Sequence, residues 1–268
     1  MGKPVLAARN LHCGYDDFAV IRGVDLDLLE GEFLGLIGPN GSGKTTLLRA
    51  LTGRLRPTSG DVLLDGRPIA QIPRREVARR LAVVPQISSP PFEFTVREIV
   101  AMGRSPHLGR LQAEGPQDQQ AVEAAMALTG ISGLSSRPVT ELSGGEYQRV
   151  VIARALAQEA PLMLLDEPAA HLDIGHQVEI FDLLLRLNRG EERSILCVSH
   201  DLNLAARYCD RLIAVSDGAI TAAGTPSDIL TAEFVGSLYG CEVRVDADPG
   251  GHIVVTPLSR ELDGVGAR

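Results

Sequence analysis

Short apolar runs, each bounded by turn residues, punctuate the chain: "GEFLGLIG", "GDVLLDG", "LAVVPQ", "LMLLDEP", "SILCVSH" and "RLIAVSDG". Several alternate with stretches of helical period, such as Gln177 to Leu187 and Leu202 to Tyr208. Strands interleaved with helices predict an α/β core on a largely parallel sheet. Between Gln86 and Leu142 the pattern turns helical ("TVREIVAMGR", "DQQAVEAAMALTG"), broken by the Pro/Gly-rich link "HLGRLQAEGPQ" and without a strand-like run. An inserted helical lobe is expected there, spanning 87–160 with the helix that follows. Past about Leu230 the chain adds "CEVRVDADPGGHIVVTPL". Two period-2 segments around an Asp-Pro-Gly-Gly turn predict a β-hairpin in an appended C-terminal extension over 231–268. There are no internal repeats or low-complexity tracts, and a single domain over 1–268 is expected.

At 268 residues and 44% apolar content the chain can bury a sizeable core. Its 34 acidic residues against 26 basic ones give a net charge of −8, a field that repels nucleic acid. No nucleic-acid partner is expected. Cys13, Cys197, Cys209 and Cys241 lie far apart with no CxxC pair, which argues against a zinc site and a disulfide framework and suits a reducing cytosol. "MGKPVLAARN" lacks the apolar stretch of a signal peptide and the Ser or Thr of a myristoylation signal. No segment reaches the roughly 18 uninterrupted apolar residues of a membrane span, so a soluble chain is expected.

The candidate chemistry begins with "GPNGSGKT", Gly38 to Thr45, which matches G-x-x-x-x-G-K-[ST] between the strand-like "EFLGLI" and the helix-like "TTLLRALTG". Gly41 and Gly43 let backbone N–H groups curl toward phosphate oxygens, and the helix N-terminus adds partial positive charge. Lys44 is placed to reach the β/γ-phosphates and Thr45 to hold Mg2+. The whole loop, Gly38, Pro39, Asn40, Gly41, Ser42, Gly43, Lys44, Thr45 and Thr46, is expected to bind nucleotide. Downstream, "PLMLLDEP" sets Asp166 and Glu167 at the end of an apolar strand, where two adjacent carboxylates need a cation or a proton to carry. Asp166 is expected to orient magnesium, through water or directly, and Glu167 to polarise an attacking water. A second anion site follows in "ELSGGEYQRVVIARAL": Ser143, Gly144 and Gly145 offer a hydroxyl and unhindered N–H groups at a helix start, and Ser143 with Glu146 also spells a capping box. One nucleotide does not need two such loops.

"LSGGE" followed by Gln148 and Arg149 resembles the signature of the ATP-binding-cassette (ABC) ATPases. That resemblance implies a P-loop NTPase core with a small N-terminal antiparallel β part, an inserted helical subdomain and a short C-terminal extension. It also implies that Ser143, Gly144 and Gly145 serve the nucleotide of a partner subunit, so that two chains dock head-to-tail around two ATPs. Gln86 after "VVP" resembles the loop glutamine that reaches magnesium, His200 in "CVSHD" the switch histidine near the γ-phosphate, Asp173 in "AHLD" the loop crossing the dimer interface, and Tyr15 the aromatic on adenine. By resemblance, then, Glu167, His200 and Gln86 are catalytic, and Thr45, Gln86 and Asp166 hold the metal. Ala169, where Thr or Ser is usual, and His171 depart from the pattern.

"FTVREIVAMGRSPHLG" and "PAAHLDIGHQVEIFDLL" are similar to the importer subfamily for ferric siderophores, haem and cobalamin. An ATPase never touches the cargo, so the three stay open. The resemblance implies a homodimer on two integral-membrane permease subunits at the cytoplasmic face of the inner membrane, served indirectly by a substrate-binding protein. A soluble ABC ATPase of iron–sulfur cluster assembly is the alternative. Permease contact is expected over Thr95 to Leu108, with Arg97 and Arg104 on the docking surface. "RREVARR", Arg74 to Arg80, reads as a solvated helix face or a membrane or permease contact, and His171 and His176 as solvated or interface positions.

Overall fold

Two hydrophobic cores lie back to back, one on each face of a central sheet, and the strand sequences dictate the split. The computed structural model describes residues 2–16, 18–86, 94–109 and 112–259. The chain enters as β1 (Pro4–Tyr15) and β2 (Phe18–Leu29), paired antiparallel from Tyr15↔Phe18 to Pro4↔Leu29. It then crosses the protein as β3 (Phe33–Ile37), buried at every position, and turns into α1 (Lys44–Leu51). β4 (Ser59–Leu64) and β5 (Arg67–Pro68) complete a four-stranded antiparallel sheet in the order β2-β1-β4-β5. The run "GDVLLDG", expected among the parallel strands, therefore belongs to the other sheet. The reason is visible in its burial: only Val62 and Leu64 of β4 are buried, one face alone, whereas strands of a covered parallel sheet are apolar throughout.

After α2 (Arg74–Arg80) and β6 (Leu81–Val84) come α3 (Val96–Ala101), α4 (Pro116–Leu128) and α5 (Gly144–Ala157). The chain returns through β7 (Leu162–Asp166), α6 (Ile174–Glu191), β8 (Ser194–Val198), α7 (Leu202–Tyr208), β9 (Arg211–Ser216) and β10 (Ala219–Gly224). The second sheet runs β10-β9-β3-β8-β7-β6, parallel except for β10. Although β3, β7 and β8 are buried at every position, alternate residues part company. Phe33, Ile37, Met163, Leu165, Ile195, Cys197, Leu212 and Ala214 join the core formed with α3 to α7. Leu34, Leu36, Leu162, Leu164, Leu196, Val198, Ile213 and Val215 join the core formed with α1, β1, β2 and β4. A one-residue slip would exchange the two sets.

The helical segment is locked to the sheet by polar grips. Arg104, expected on a docking surface, is only 4% exposed. Its guanidinium donates to Asp118 Oδ1 (2.9 Å), Ala157 O (2.7 Å) and Glu159 Oε2 (2.6 Å), joining α4 to the end of α5. Burial is possible because Nε and Nη1 find a carbonyl and two carboxylates as acceptors. A Cβ on Gly103 would stand 2.2 Å from Arg154 O, so only glycine lets that turn pack on α5. Nor is α2 a solvated face throughout: Arg75 donates to the carbonyls of Pro106, His107 and Leu108, and Arg79 to that of Pro106. Arg97 is half-exposed and 3.5 Å from Glu123.

At the end of the chain, α8 (Pro226–Ile229) and α9 (Ala232–Tyr239) lead to β11 (Val243–Ala247) and β12 (Ile253–Pro257), an antiparallel pair. Val235, Val243 and Val255 are buried in the sheet's core, and the Asn203 amide makes a pair of hydrogen bonds with the backbone of Val255 (2.8 and 3.3 Å). This segment packs on α7. The expected limits of the helical lobe and of the extension fall partly on 87–93 and 260–268, outside the described residues.

Candidate nucleotide site

The phosphate loop is built by three glycines between β3 and α1. Gly38, Gly41 and Gly43 take φ of 146°, 78° and 102°, conformations that side chains resist. A Cβ on Gly38 would stand 2.1 Å from Val215 O and one on Gly43 2.9 Å from Ile21 Cδ1, whereas one on Gly41 would meet nothing within 4 Å. The loop is thus packed on its sheet side and open on the other. α1 starts from Gly43 with no side-chain cap and no acidic residue in its first turn, so its N–H groups and dipole face outward unanswered. Ser42 Oγ is buried without a hydrogen-bond partner among the described residues. Lys44 is 5% exposed and arches back, its Nζ donating to Gly38 O (2.8 Å) and Pro39 O (2.9 Å). Burial pulls its pKa down, opposed by the charges of Glu167 and Asp166. An uncapped helix start, an orphan hydroxyl and a buried cation together suit an oligophosphate.

β7 carries the carboxylates. Asp166 is 5% exposed and accepts a long hydrogen bond from Thr45 Oγ1 (3.4 Å). Burial pushes its pKa up, Thr45 opposes, and Glu167 adds repulsion. Glu167 sits at φ 51°, a strained backbone for a non-glycine residue, directly after the strand. Its carboxylate is held at both oxygens: Gln86 Nε2 donates to Oε2 (2.9 Å), and His200 Nε2 pairs with Oε1. Gln86 follows β6 and His200 follows β8, the strands flanking β7, so the sheet order brings together residues that the sequence separates widely. Thr45, Gln86 and Asp166 offer a hydroxyl, an amide and a single carboxylate. Such a neutral-leaning oxygen set fits Mg2+ shared with substrate phosphates better than a cage built by protein alone. Among the described residues no group of three or more His, Cys, Asp or Glu suits a metal.

Tyr15 lies at the β1–β2 turn, 40% exposed, its hydroxyl accepting from Arg49 Nη1 (2.8 Å) of α1. Its register partner Phe18 is 71% exposed, an aromatic that motif reading missed.

A second cluster gathers around α5. Ser143 Oγ accepts from Glu146 N–H (3.3 Å), and Glu146 Oε2 accepts from the N–H and hydroxyl of Ser143 (2.8 Å each). These bonds hold the Glu146 carboxyl below the usual range. Asp173 caps α6 through His176 N–H (2.9 Å) and also bonds His176 Nδ1. The His176 ring lies over Gly145, where a Cβ would stand 2.5 Å from its Cδ2. His176 therefore joins Asp173 to the Ser143–Gly145 loop, a role its spacing did not reveal. Among the described residues no hydrogen bond links Ser143, Gly144, Gly145 or Asp173 to the phosphate loop. Sequence reading also missed Tyr239, whose hydroxyl accepts from Gly38 N–H (3.1 Å) across 201 positions.

A solved structure of the ADP conformation of an ATP-binding cassette of an ABC transporter superposes with a TM-score of 0.79, at 26% identity over 88% of this chain and 98% of that one. A cobalamin import ATP-binding protein of Halobacterium salinarum is 45% identical over 240 residues, 89% of this chain and 60% of that protein's length. The ferric enterobactin transport ATP-binding protein of Escherichia coli is 43% identical over 256 residues, 95% of this chain and 94% of that one. The family model described as "ABC transporter" matches residues 21–170, more than half of the chain. On the motifs, the fold and these likenesses together, the chain belongs to the ABC transporter family.

Proposed function

We propose that the chain is the ATP-hydrolysing subunit of an importer for a ferric siderophore, haem or cobalamin, working as a homodimer beneath two permease subunits at the cytoplasmic face of the membrane. A substrate-binding protein delivers the cargo. The observation that carries the reading is the convergence on one side of the sheet of an open phosphate loop, a buried lysine and a doubly held glutamate. Relatives named for import of cobalamin and transport of ferric enterobactin favour an importer over iron–sulfur assembly.

Lys44 leaves the Gly38 and Pro39 carbonyls to bind the β/γ-phosphates, while the first N–H groups of α1 take the remaining phosphate oxygens. Thr45, Gln86 and Asp166 would hold Mg2+, which would supply positive charge to the phosphates. Glu167 orients and deprotonates the attacking water, and His200 and Gln86 hold its carboxylate in place. Tyr15, with Phe18 beside it, stacks on the adenine. Ser143, Gly144 and Gly145 close over the nucleotide of the opposite subunit, with Asp173 at the same interface.

A host strain whose own copy carries Glu167→Gln tests the reading. It should fail to grow on one of a ferric siderophore, haem or cobalamin supplied as the sole source of iron or cobalamin. Growth equal to the parent on all three overturns the importer.

A further inference from the structure

The phosphate loop rests on a part of the chain that the ATPase motifs do not include. Gly38, its first residue, is held by two hydrogen bonds: Lys44 Nζ donates to its carbonyl at 2.8 Å, and its N–H donates to Tyr239 Oη at 3.1 Å; no side chain fits there, since a Cβ would stand 2.1 Å from Val215 O. Tyr239 is the last residue of α9, followed by Gly240 in the left-handed conformation that ends the helix. Phe234, Leu238 and Tyr239 pack against the sheet's core. Burial pushes the Tyr239 phenol up, so the hydroxyl stays protonated and its oxygen stays a neutral acceptor. Further along the same segment, the backbone of Val255 is paired with Asn203, three residues past His200 on the helix that follows it. One C-terminal stretch is therefore fastened both to the phosphate loop and to the helix behind the switch histidine.

We propose that Tyr239 is a positioning residue of the ATP site, its hydroxyl fixing the entry to the phosphate loop from outside the nucleotide-binding motifs. When Lys44 swings from the Gly38 carbonyl to a phosphate, one of the two hydrogen bonds on Gly38 goes. The Tyr239 bond to its N–H remains. Without it the loop spends more time in shapes that cannot present α1 to the phosphates, and ATP affinity falls by the fraction of time so lost. This inference rests on the phosphate-loop reading.

Tyr239→Phe keeps the packed ring and removes the hydroxyl alone. In the full chain, hydrogen–deuterium exchange should rise in a peptide covering Leu36 to Leu48 and stay unchanged in the β8 strand, Ser194 to Val198. Calorimetry with Mg-ATP should give an affinity roughly three- to tenfold weaker, the range one lost hydrogen bond allows. At saturating ATP, kcat should be unchanged, and the melting temperature should fall by no more than a few degrees. Unchanged exchange in the phosphate loop together with unchanged affinity overturns the proposal. Raised exchange in β8 to the same degree also overturns it, because Tyr239 is then a general packing residue. Lys44→Ala, measured alongside, separates the two levels: if it too binds Mg-ATP like wild type, the phosphate-loop reading fails, whereas Tyr239→Phe alone behaving as wild type defeats only this inference.

Discussion

Two helices in this protein begin with glycine-rich turns, and they treat their free N–H groups in opposite ways. α1 starts from a left-handed Gly43, with no capping side chain and no acid in its first turn. α5 starts from Ser143, whose side chain and Glu146 complete a reciprocal capping box. The first arrangement leaves positive potential pointing outward beside a desolvated lysine, which is unfavourable until an anion arrives. The second is satisfied within its own chain and its Gly145 is covered by the His176 ring, yet Gly144 stays exposed: a Cβ there would meet only Leu172 Cδ2, at 3.5 Å. A loop that already has its hydrogen bonds gains little from a ligand alone. It can still add contacts to a ligand that another surface holds. On the function proposed above, the phosphate loop binds and the Ser143–Gly145 loop completes.

The largest effect is expected where binding and chemistry part. Glu167→Gln should keep ATP binding while slowing hydrolysis by about 10²- to 10⁴-fold, since the amide keeps the shape but cannot take a proton from water. Release of phosphate from Mg-ATP measures the rate and calorimetry the affinity; equal loss of both would mean that Glu167 helps to bind. Next in size, Lys44→Ala should weaken ATP binding by roughly 100-fold, as a charge-assisted contact to phosphate in a desolvated loop disappears. Should the isolated chain lose as much affinity on Ser143→Ala, the contrast between the loops collapses.

Much of the site could be read from residue order, because the loops are contiguous. What brings them together could not. Gln86, Glu167 and His200 meet because β6, β7 and β8 are neighbours in the sheet, and strand order is not written in spacing. Arg104 looked like a surface cation until its acceptors, Asp118 and Glu159, folded around it. β2 carries the alternating "VDLDL", but β1 has no such clean period, and its register shows why: it shifts between Ala8 and Leu11 and again before Cys13, and each bulge flips the face that later residues present. Tyr239 carried no motif at all, since its partner is a backbone N–H.

A smaller effect concerns the cost of keeping the binding loop ready. Burial raises the pKa of Asp166, so the folded chain holds that proton more tightly than the unfolded one. The sign follows: stability falls as pH rises through the carboxylate range, and at neutral pH the ionised Asp166 subtracts from it. Asp166→Asn should therefore stabilise the ligand-free chain at pH 7 by up to about 1 kcal/mol, with the gain shrinking toward pH 4. Urea midpoints at the two pH values check this. A destabilised Asn variant at pH 7 would mean that the Thr45 bond and the nearby Lys44 outweigh the burial.

The smallest effect should come from the other loop, and there stability and binding should separate. Ser143→Ala removes the acceptor for Glu146 N–H and the hydroxyl that Glu146 holds, which costs about 1 kcal/mol by the usual worth of a helix cap. The loss has a pH signature. Glu146 is held below the ordinary carboxylate range by Ser143, so its contribution is present above that range and disappears as pH falls through the lowered value. Alanine keeps the Ser143 N–H that does most to lower the Glu146 pKa, and the lost cap on Glu146 N–H does not titrate, so the gap between wild type and Ser143→Ala should narrow under acid without closing, judged by urea midpoints taken down the pH scale. Meanwhile the ATP affinity of the isolated chain should stay within about twofold of wild type, because the loop that binds is capped by nothing that Ser143 touches. A heterodimer of Lys44→Ala with Ser143→Arg then locates the loop's ligand. If sites are shared, both lesions fall on one site and the other still retains ATP; placing both changes in one chain beside a wild-type partner damages each site once. More ATP retained by the second pairing would show that α5 serves its own chain, and the contrast between a loop that binds and a loop that completes would fall.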